Sequence, residues 1–199
     1  MGFILQSLPR TIISGFILAI IVYLYNIGFG TVDQIAIDQS YTAFLFRWLH
    51  VLSATMWIGL LWYFNFVQIP NMPNIPDEQK PAIGKVIAPA ALFWFRWGAK
   101  ATIITGLILA YVNDYLHEAM TLQEGFQIIG IGMWLGTIMW FNVWFVIWPN
   151  QKKALGIVEA DADTKAKAAR TAMLFSRTNT LLSIPMLLCM VAAQNYMFR

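Results

Sequence analysis

Residues 41–67 have the sequence YTAFLFRWLHVLSATMWIGLLWYFNFV, which is long and predominantly apolar. A helix of about 20 predominantly apolar residues is long enough to cross the hydrocarbon core of a bilayer. Four further stretches have the same character, so five membrane spans are predicted, at about 11–29, 41–67, 92–112, 126–148 and 173–194. Because every backbone polar group in lipid must be paired within the protein, the spans are predicted to be helices.

The composition of the whole chain also indicates a membrane protein. Of its 199 residues, 59% are hydrophobic and 12% are charged, whereas about 25% of the residues in a soluble domain are charged. So few charges cannot cover the surface of a soluble protein of this length. We therefore predict an all-α, polytopic helix bundle that forms a single integral membrane domain over residues 1–199. The first span is longer than the apolar core of a secretory signal, and it is predicted to be a retained anchor.

The distribution of Lys and Arg predicts the orientation in the membrane. The connections 30–40 and 113–125 contain neither residue type, whereas the connection between the fourth and fifth spans contains Lys152, Lys153, Lys165, Lys167 and Arg170. Short loops rich in Lys and Arg remain in the cytoplasm. The N-terminus is therefore predicted to be cytoplasmic and the C-terminus to lie outside.

A polar stripe along the second span contains the first candidate site. Arg47, His50, Trp57, Asn65 and Gln68 share one helix face at 3.6 residues per turn. His50 is the only histidine in a span and should lie about 10 Å below the outer surface. It is a candidate axial ligand of a b-type haem, a ligand of a transition metal or a proton-transfer group, with Arg47 and Trp57 as further cofactor-binding candidates. The alternative is an interhelical hydrogen bond to a Thr or Asn of a neighbouring helix.

The second histidine, His117, lies on the same predicted side of the membrane as His50. It occurs three residues after Asp114, so the two side chains can share a helix face. Two histidines and a carboxylate suit a transition metal, and two histidines on different helices suit a haem iron. The alternative is that His117 is a solvated loop residue.

A third candidate site lies on the predicted cytoplasmic side. Arg96 and Lys100 open the third span, and Arg177 and Asn179 open the fifth. These four side chains are candidates for an anion pocket, in which a guanidinium offers two parallel donors. The alternative for Arg177 is that its side chain extends to the lipid headgroups.

Several classes of function are disfavoured by residues that the chain lacks. Cys189 is the single cysteine, and there is no CxxCH sequence, so neither a disulfide nor a covalent c-type haem is expected. No basic stripe with interleaved aromatic residues occurs outside the spans, so no nucleic-acid partner is expected. Phosphate-loop, zinc and nucleophile–base motifs are also missing. The residues alone thus predict a site without predicting a reaction.

Four segments resemble the membrane domain of the PuuD-type urate oxidase family. They are residues 46–70 (FRWLHVLSATMWIGLLWYFNFVQIP), 91–102 (ALFWFRWGAKAT), 130–153 (GIGMWLGTIMWFNVWFVIWPNQKK) and 176–187 (SRTNTLLSIPML). The strings NVWFVIWPNQKK and SRTNTLLSIPM are the most specific to that family.

This resemblance implies a multi-pass oxidoreductase of the bacterial inner (cytoplasmic) membrane that passes electrons to a cytochrome c. Members of the family carry that cytochrome at their C-terminus, whereas the present chain has no CxxCH, so a separate periplasmic c-type cytochrome is the expected partner. By resemblance, the RWLH segment with Arg47 and His50 is expected to have the redox role. The alternative is a non-catalytic accessory subunit of a larger membrane complex.

Overall fold

The computed structural model describes residues 2–29 and 38–194, and every regular element in these ranges is helical. The helices are α1 (Gly2–Leu5), α2 (Leu8–Phe29), α3 (Gln39–Asn74), α4 (Lys80–Val112), α5 (Leu116–Met120), α6 (Gln127–Ala154) and α7 (Ala162–Ala192). Five of them, α2, α3, α4, α6 and α7, are long and apolar enough to cross a membrane. The predicted all-α class and the five spans are confirmed. The connection 30–40, which contains neither Lys nor Arg, falls mostly on residues 30–37, outside the described ranges.

Four of the spanning helices extend beyond their predicted bounds at one common end. Helices α3 and α6 end at Asn74 and Ala154, and α4 and α7 begin at Lys80 and Ala162. We call this the basic end, because the connection there contains Lys152, Lys153, Lys165 and Lys167. We call the opposite end, which contains Asp114, Glu118 and Glu124, the acidic end. Apolar length predicts only the part of a helix that lipid surrounds, whereas hydrogen bonding continues the helix into the polar region. At the start of α7, for example, the Asp161 side chain accepts a hydrogen bond from the backbone N–H of Thr164.

Helices α3, α4 and α6 each contain one π-helical turn beside a proline. The turns are Tyr63–Gln68, Ile83–Ile87 and Asn142–Ile147, and they precede Pro70, Pro89 and Pro149. In each case the residue before the proline donates its N–H to the carbonyl five residues earlier, as Trp148 does to Val143. A proline ring clashes with the carbonyl four residues earlier, and the wider turn accommodates it. The helices therefore continue past these prolines.

The chain groups into two compact units, Met1–Tyr41 and Thr42–Arg199. In the second unit, α3, α4, α6 and α7 pack in antiparallel pairs around one core. The rings of Phe64 on α3 and Phe95 on α4 meet edge to face with centroids 5.8 Å apart. Helix α6 packs along α7. The largest fully buried apolar side chains of this core are Trp57, Leu61, Phe95, Met139, Val143 and Ile147.

Polar side chains join α7 to α3 inside this unit. The indole Nε1 of Trp62 donates to the hydroxyl of Ser183 at 3.0 Å. The amide Nδ2 of Asn65 donates to the hydroxyl of Ser176 at 2.8 Å. Because no hydrophobic effect drives helices together in lipid, such hydrogen bonds join close packing in selecting the helix partners.

Candidate functional site

His50 lies between α3 and α4, with its ring over Gly106. Its Nδ1 atom is 2.9 Å from the carbonyl oxygen of Thr102 and 3.3 Å from Oγ1 of Thr105. A Cβ atom added to Gly106 would lie 2.8 Å from Cε1 of His50. Helix α4 thus gives the imidazole both a hydrogen-bond acceptor and the space for its ring.

This hydrogen bond determines which nitrogen of the neutral imidazole carries the proton. A carbonyl oxygen only accepts, so Nδ1 of His50 must donate to Thr102. The hydroxyl of Thr105 donates to the carbonyl of Ala101 at 2.7 Å, so its oxygen can also accept from Nδ1. Nε2 then holds a lone pair and has no hydrogen bond to any side chain or backbone group in the described ranges. Metal-binding histidines commonly have this arrangement, with the other ring N–H donated to a carbonyl.

The two other residues predicted beside His50 have different surroundings. Arg47 is exposed, one turn toward the acidic end. It lies near Tyr115: burial raises the pKa of the Tyr115 phenol, and the positive charge of Arg47 opposes that rise. Trp57 is 1% exposed and belongs to the core, two turns from His50. Its indole N–H has no hydrogen-bond partner among the residues that the structure describes.

His117 is exposed on the short helix α5. It lines a shallow depression at the acidic end together with Tyr111, Asp114 and Glu118. Helix α5 packs mainly against α6, whereas the ring of His50 contacts α4. Within residues 2–29 and 38–194, no group of three or more His, Cys, Asp and Glu side chains is close enough to hold a metal ion. Joint ligation by His50 and His117 stays a prediction.

Arg96 is the buried member of the predicted anion pocket. Its side chain is 9% exposed, and its Cζ atom lies 3.4 Å from the centroid of the Trp148 ring. Its Nη1 atom has no hydrogen-bond partner, and no Asp or Glu in the described part of the chain forms an ion pair with it. A guanidinium stays charged inside a protein. The basic end therefore contains a buried positive charge that contacts the aromatic ring of Trp148.

The two other cations predicted for this pocket lie at the surface. Lys100 is exposed, with Nζ 5.0 Å from the ring centroid of Trp97 and 5.8 Å from that of Trp144. Arg177 is exposed on α7. The structure thus places Lys100 on an aromatic surface and Arg177 on the outside of the bundle, and neither shares the burial of Arg96.

Asn179 is fully buried, and its amide is engaged in helix packing. Its Oδ1 accepts from Nδ2 of Asn142 at 2.9 Å, and its Nδ2 donates to the carbonyl of Met139 at 2.9 Å. Both partners lie on α6. These bonds join α6 to α7, and they occupy both the Oδ1 and the Nδ2 atom of the Asn179 side chain.

The carboxyl-terminal part of the chain matches a known family. Residues 122–198 match the family described as urate oxidase N-terminal. The predicted resemblance is confirmed for this part of the chain. No curated protein and no solved structure matches the chain.

The urate oxidase N-terminal match covers α6 and α7, together with the connection between them. Trp148 and Asn179 lie inside the matched residues, whereas His50 and Arg96 lie outside them. The two candidate sites are therefore built from both the matched and the unmatched parts of the chain. The match supports a membrane protein related to this family and assigns no role to any residue. The role of each side chain is therefore argued from its own surroundings.

Three amide side chains near the basic end were not assigned to the anion pocket by the sequence. The side-chain oxygens of Asn65, Gln68 and Gln151 are buried without hydrogen-bond partners. Asn65 and Gln68 were visible as members of the polar stripe on α3, but they lie four and five turns from His50 and belong to the other end. Gln151 follows Trp148 by three residues, a spacing that places both on one face of α6.

Proposed function

We propose that this membrane protein is the membrane-embedded part of an oxidoreductase related to urate oxidases. It holds a b-type haem or a transition metal at Nε2 of His50 and passes electrons to a separate c-type cytochrome. The observation that carries the proposal is the 2.9 Å hydrogen bond from Nδ1 of His50 to the Thr102 carbonyl. It leaves Nε2 as a free, oriented donor atom, which is what a metal ligand requires. The urate oxidase N-terminal match supports the reaction class.

The surroundings of His50 fit an imidazole that binds a metal. The Thr102 carbonyl fixes the ring and makes it more basic, and Gly106 leaves space against α4. The site lies within a membrane-spanning helix, where low polarity tunes a redox potential. A bound haem or metal would supply the one-electron chemistry, and His50, Thr102 and Gly106 would hold and orient it. A second protein ligand would come from outside this cluster.

A supporting subunit of a larger membrane complex is the second candidate function. The same hydrogen bond favours it, since a bond between α3 and α4 stabilises the bundle even without a cofactor. The two candidates differ in what they require of Nε2. A redox centre needs the Nε2 atom of His50, whereas a packing role needs only Nδ1.

Optical spectra and metal analysis of the purified protein distinguish these functions. The protein is produced with added haem precursor, extracted in a mild detergent and compared with His50→Ala and His117→Ala. We expect a stoichiometric Soret band or metal content in the wild type and its loss in His50→Ala. Retention of the signal in His117→Ala would show that His50 acts without His117, and its loss there would show that both histidines hold the group. Circular dichroism and gel filtration establish that both variants are folded. A wild-type protein with neither a Soret band nor stoichiometric metal, recovered within one defined complex, would replace the redox proposal with the supporting role.

A further inference from the structure

We infer that the basic end of the bundle binds a phosphate group through Arg96. The ligand class is a phosphate that also presents hydroxyl donors, which describes both free hydrogen phosphate and a hydroxyl-bearing lipid headgroup such as phosphatidylglycerol. This site is separate from His50 and does not depend on the proposed redox function.

The first argument is the charge of Arg96. Its guanidinium is buried and has no acidic partner in the described ranges. A buried charge is costly unless it is paired and hydrogen-bonded. The Trp148 ring covers one face of the guanidinium at 3.4 Å, and a cation–π contact offsets part of that cost. The N–H donors lie in the guanidinium plane, so the edge that includes Nη1 needs an acceptor, and a phosphate offers two oxygens in matching geometry.

The second argument is that four helices meet at this level. Phe64 on α3 contacts Phe95 on α4, next to Arg96. Arg96 contacts Trp148 on α6, and Asn65, next to Phe64, donates to Ser176 on α7. The four helices therefore meet at the level of Arg96, whose guanidinium itself contacts α6.

The third argument is the set of polar atoms left without partners. Apart from three indole nitrogens, the buried side-chain atoms with no hydrogen-bond partner among the described residues are Nη1 of Arg96 and the amide oxygens of Asn65, Gln68 and Gln151. All four lie toward the basic end, on three of the converging helices. Amide oxygens only accept, so the ligand that satisfies them carries donors as well as negative charge. A simple halide would leave these acceptors unpaired, whereas a hydroxyl-bearing phosphate satisfies both requirements.

The fourth argument is depth in the membrane. Arg96 precedes the acidic end of α4 at Val112 by a helical rise of about 24 Å, in a hydrocarbon core about 30 Å thick. It therefore lies close to the headgroup level of the basic end. Aromatic rings with cations beside them mark the same level: the Nζ atom of Lys152 is 5.8 Å from the ring centroid of Trp148. Lipid phosphates concentrate just beyond this level, outside the hydrocarbon core.

Two probes test the site, and they separate its two possible sources of phosphate. Radiolabelled inorganic phosphate is titrated by equilibrium dialysis into protein held in nanodiscs of neutral phosphatidylcholine. Retention of phosphatidylglycerol against phosphatidylcholine is measured by native mass spectrometry. The variants are R96Q, which removes the charge, and the matched control R170Q, which removes an exposed arginine outside the candidate pocket. We expect R170Q to bind like the wild type and R96Q to bind at least about tenfold more weakly, as loss of a charge-assisted hydrogen bond implies.

Retention of phosphatidylglycerol alone assigns the site to a lipid headgroup, and binding of inorganic phosphate in neutral nanodiscs assigns it to a soluble ligand. Both results support the inference. Binding of neither ligand by the wild type, or equal binding by R96Q and the wild type, overturns it. If R96Q does not fold, R96K decides, because lysine keeps the charge but loses the planar fork. A several-fold weaker binding by R96K supports the site, and unchanged binding by R96K contradicts it.

Discussion

The Nδ1 atom of His50 on α3 lies 2.9 Å from the carbonyl oxygen of Thr102 on α4. One interhelical hydrogen bond thus sets the orientation of the single histidine within a membrane span and the nitrogen that carries its proton. The bond gives this polar group a partner within the bundle and leaves Nε2 without a hydrogen bond in the described ranges. In the proposed redox function, packing uses Nδ1 and ligand binding uses Nε2.

The tautomer of His50 can be measured directly. We expect the ¹⁵N chemical shifts of histidine-labelled, metal-free protein to show His50 with a protonated Nδ1 and an unprotonated Nε2. The physical reason is that the Thr102 carbonyl can only accept a hydrogen bond, so Nδ1 of His50 must carry the proton that it donates. The exposed His117 serves as the internal comparison. Protonation of His50 at Nε2 would contradict the assignment of that atom as the ligand.

Replacement of Gly106 by alanine should disturb the same ring. The added Cβ would lie 2.8 Å from Cε1 and 3.0 Å from Nδ1 of His50, so the imidazole must move away from α4. Overpacking of this kind costs about 1–3 kcal/mol. We expect Gly106→Ala to lower both the stability against detergent unfolding and any Soret or metal signal. The control is Gly136→Ala, since Gly136 is buried but has nothing within 4 Å of an added Cβ. Equal behaviour of the two variants would rule out this close approach.

Replacement of Gly130 by alanine should destabilise the contact of α6 with α5. An added Cβ at Gly130 would collide with the backbone carbonyl oxygen of Ala119 and approach a side-chain methyl of Leu122 to 2.7 Å. Because a backbone atom cannot move as a side chain does, the penalty should reach the upper part of the range of about 1–3 kcal/mol. The measurement is the free energy of unfolding in mixed micelles. A variant as stable as Gly136→Ala would show that α5 does not pack as described.

Removal of the Asn179 amide should weaken the pairing of α6 and α7. Asn179→Leu leaves the Nδ2 donor of Asn142 and the carbonyl of Met139 without this partner. Interhelical hydrogen bonds in membranes contribute about 0.6–2 kcal/mol, and we expect a loss of stability in that range. Asn142→Leu combined with Asn179→Leu should recover part of it, because no amide is then left unpaired.

The control for Asn179 is its neighbour Thr178. The exposed hydroxyl of Thr178 donates to Leu174 within the same helix at 3.1 Å, so Thr178→Ala should leave the unfolding free energy nearly unchanged. If Asn179→Leu were as stable as Thr178→Ala, or if the double variant were less stable than the sum of the single losses, the assigned packing role would be wrong.

The start of α7 should depend on pH through Asp161. The backbone N–H of Thr164 donates to its carboxylate at 2.7 Å and lowers the pKa of Asp161 below its usual value of 3.8. Because the folded-state pKa is lowered, the stabilisation is present above the usual value and is lost as the pH falls through the lower folded-state value. We expect the amide resonance of Thr164 to titrate with a midpoint below 3.8.

Asp161→Asn separates the charge from the cap. Asparagine caps helices about as well as aspartate, so the helix start should persist in this variant while the titration disappears. Asp161→Ala should expose the Thr164 amide to faster hydrogen exchange at neutral pH. An unchanged exchange rate in Asp161→Ala would contradict the cap.

Arg177 and Asn179 show where prediction from the sequence stops. Both were predicted for one pocket because they open the same span. Positions two apart on a helix point in directions about 200° apart, so one must face away when the other faces the bundle. The structure buries Asn179 completely and leaves Arg177 exposed. The sequence could not choose between them, because both carry polar groups and only the position of α6 decides which face is covered.

The ends of the spans show a similar limit. Apolar length located α3, α4 and α6, but it placed Pro70, Pro89 and Pro149 outside the predicted spans. The observed helices pass Pro70, Pro89 and Pro149 through π-helical turns. A proline forbids one hydrogen bond, and the adjacent helical geometry decides whether the chain breaks or widens its turn.

The all-helical fold, the number of spans and the ionisable groups within them could all be predicted from the amino-acid sequence. They follow from the length and polarity of its segments, because lipid leaves a long apolar segment no structure other than a helix. The helix arrangement was needed to show that His50 bonds to Thr102 and that Asn179 joins α6 to α7. It was also needed to show that Arg96 stacks on Trp148 with no acidic partner in the described ranges. Each of these depends on which helix lies opposite, and residues far apart in the chain carry no local signal of the face that they will meet.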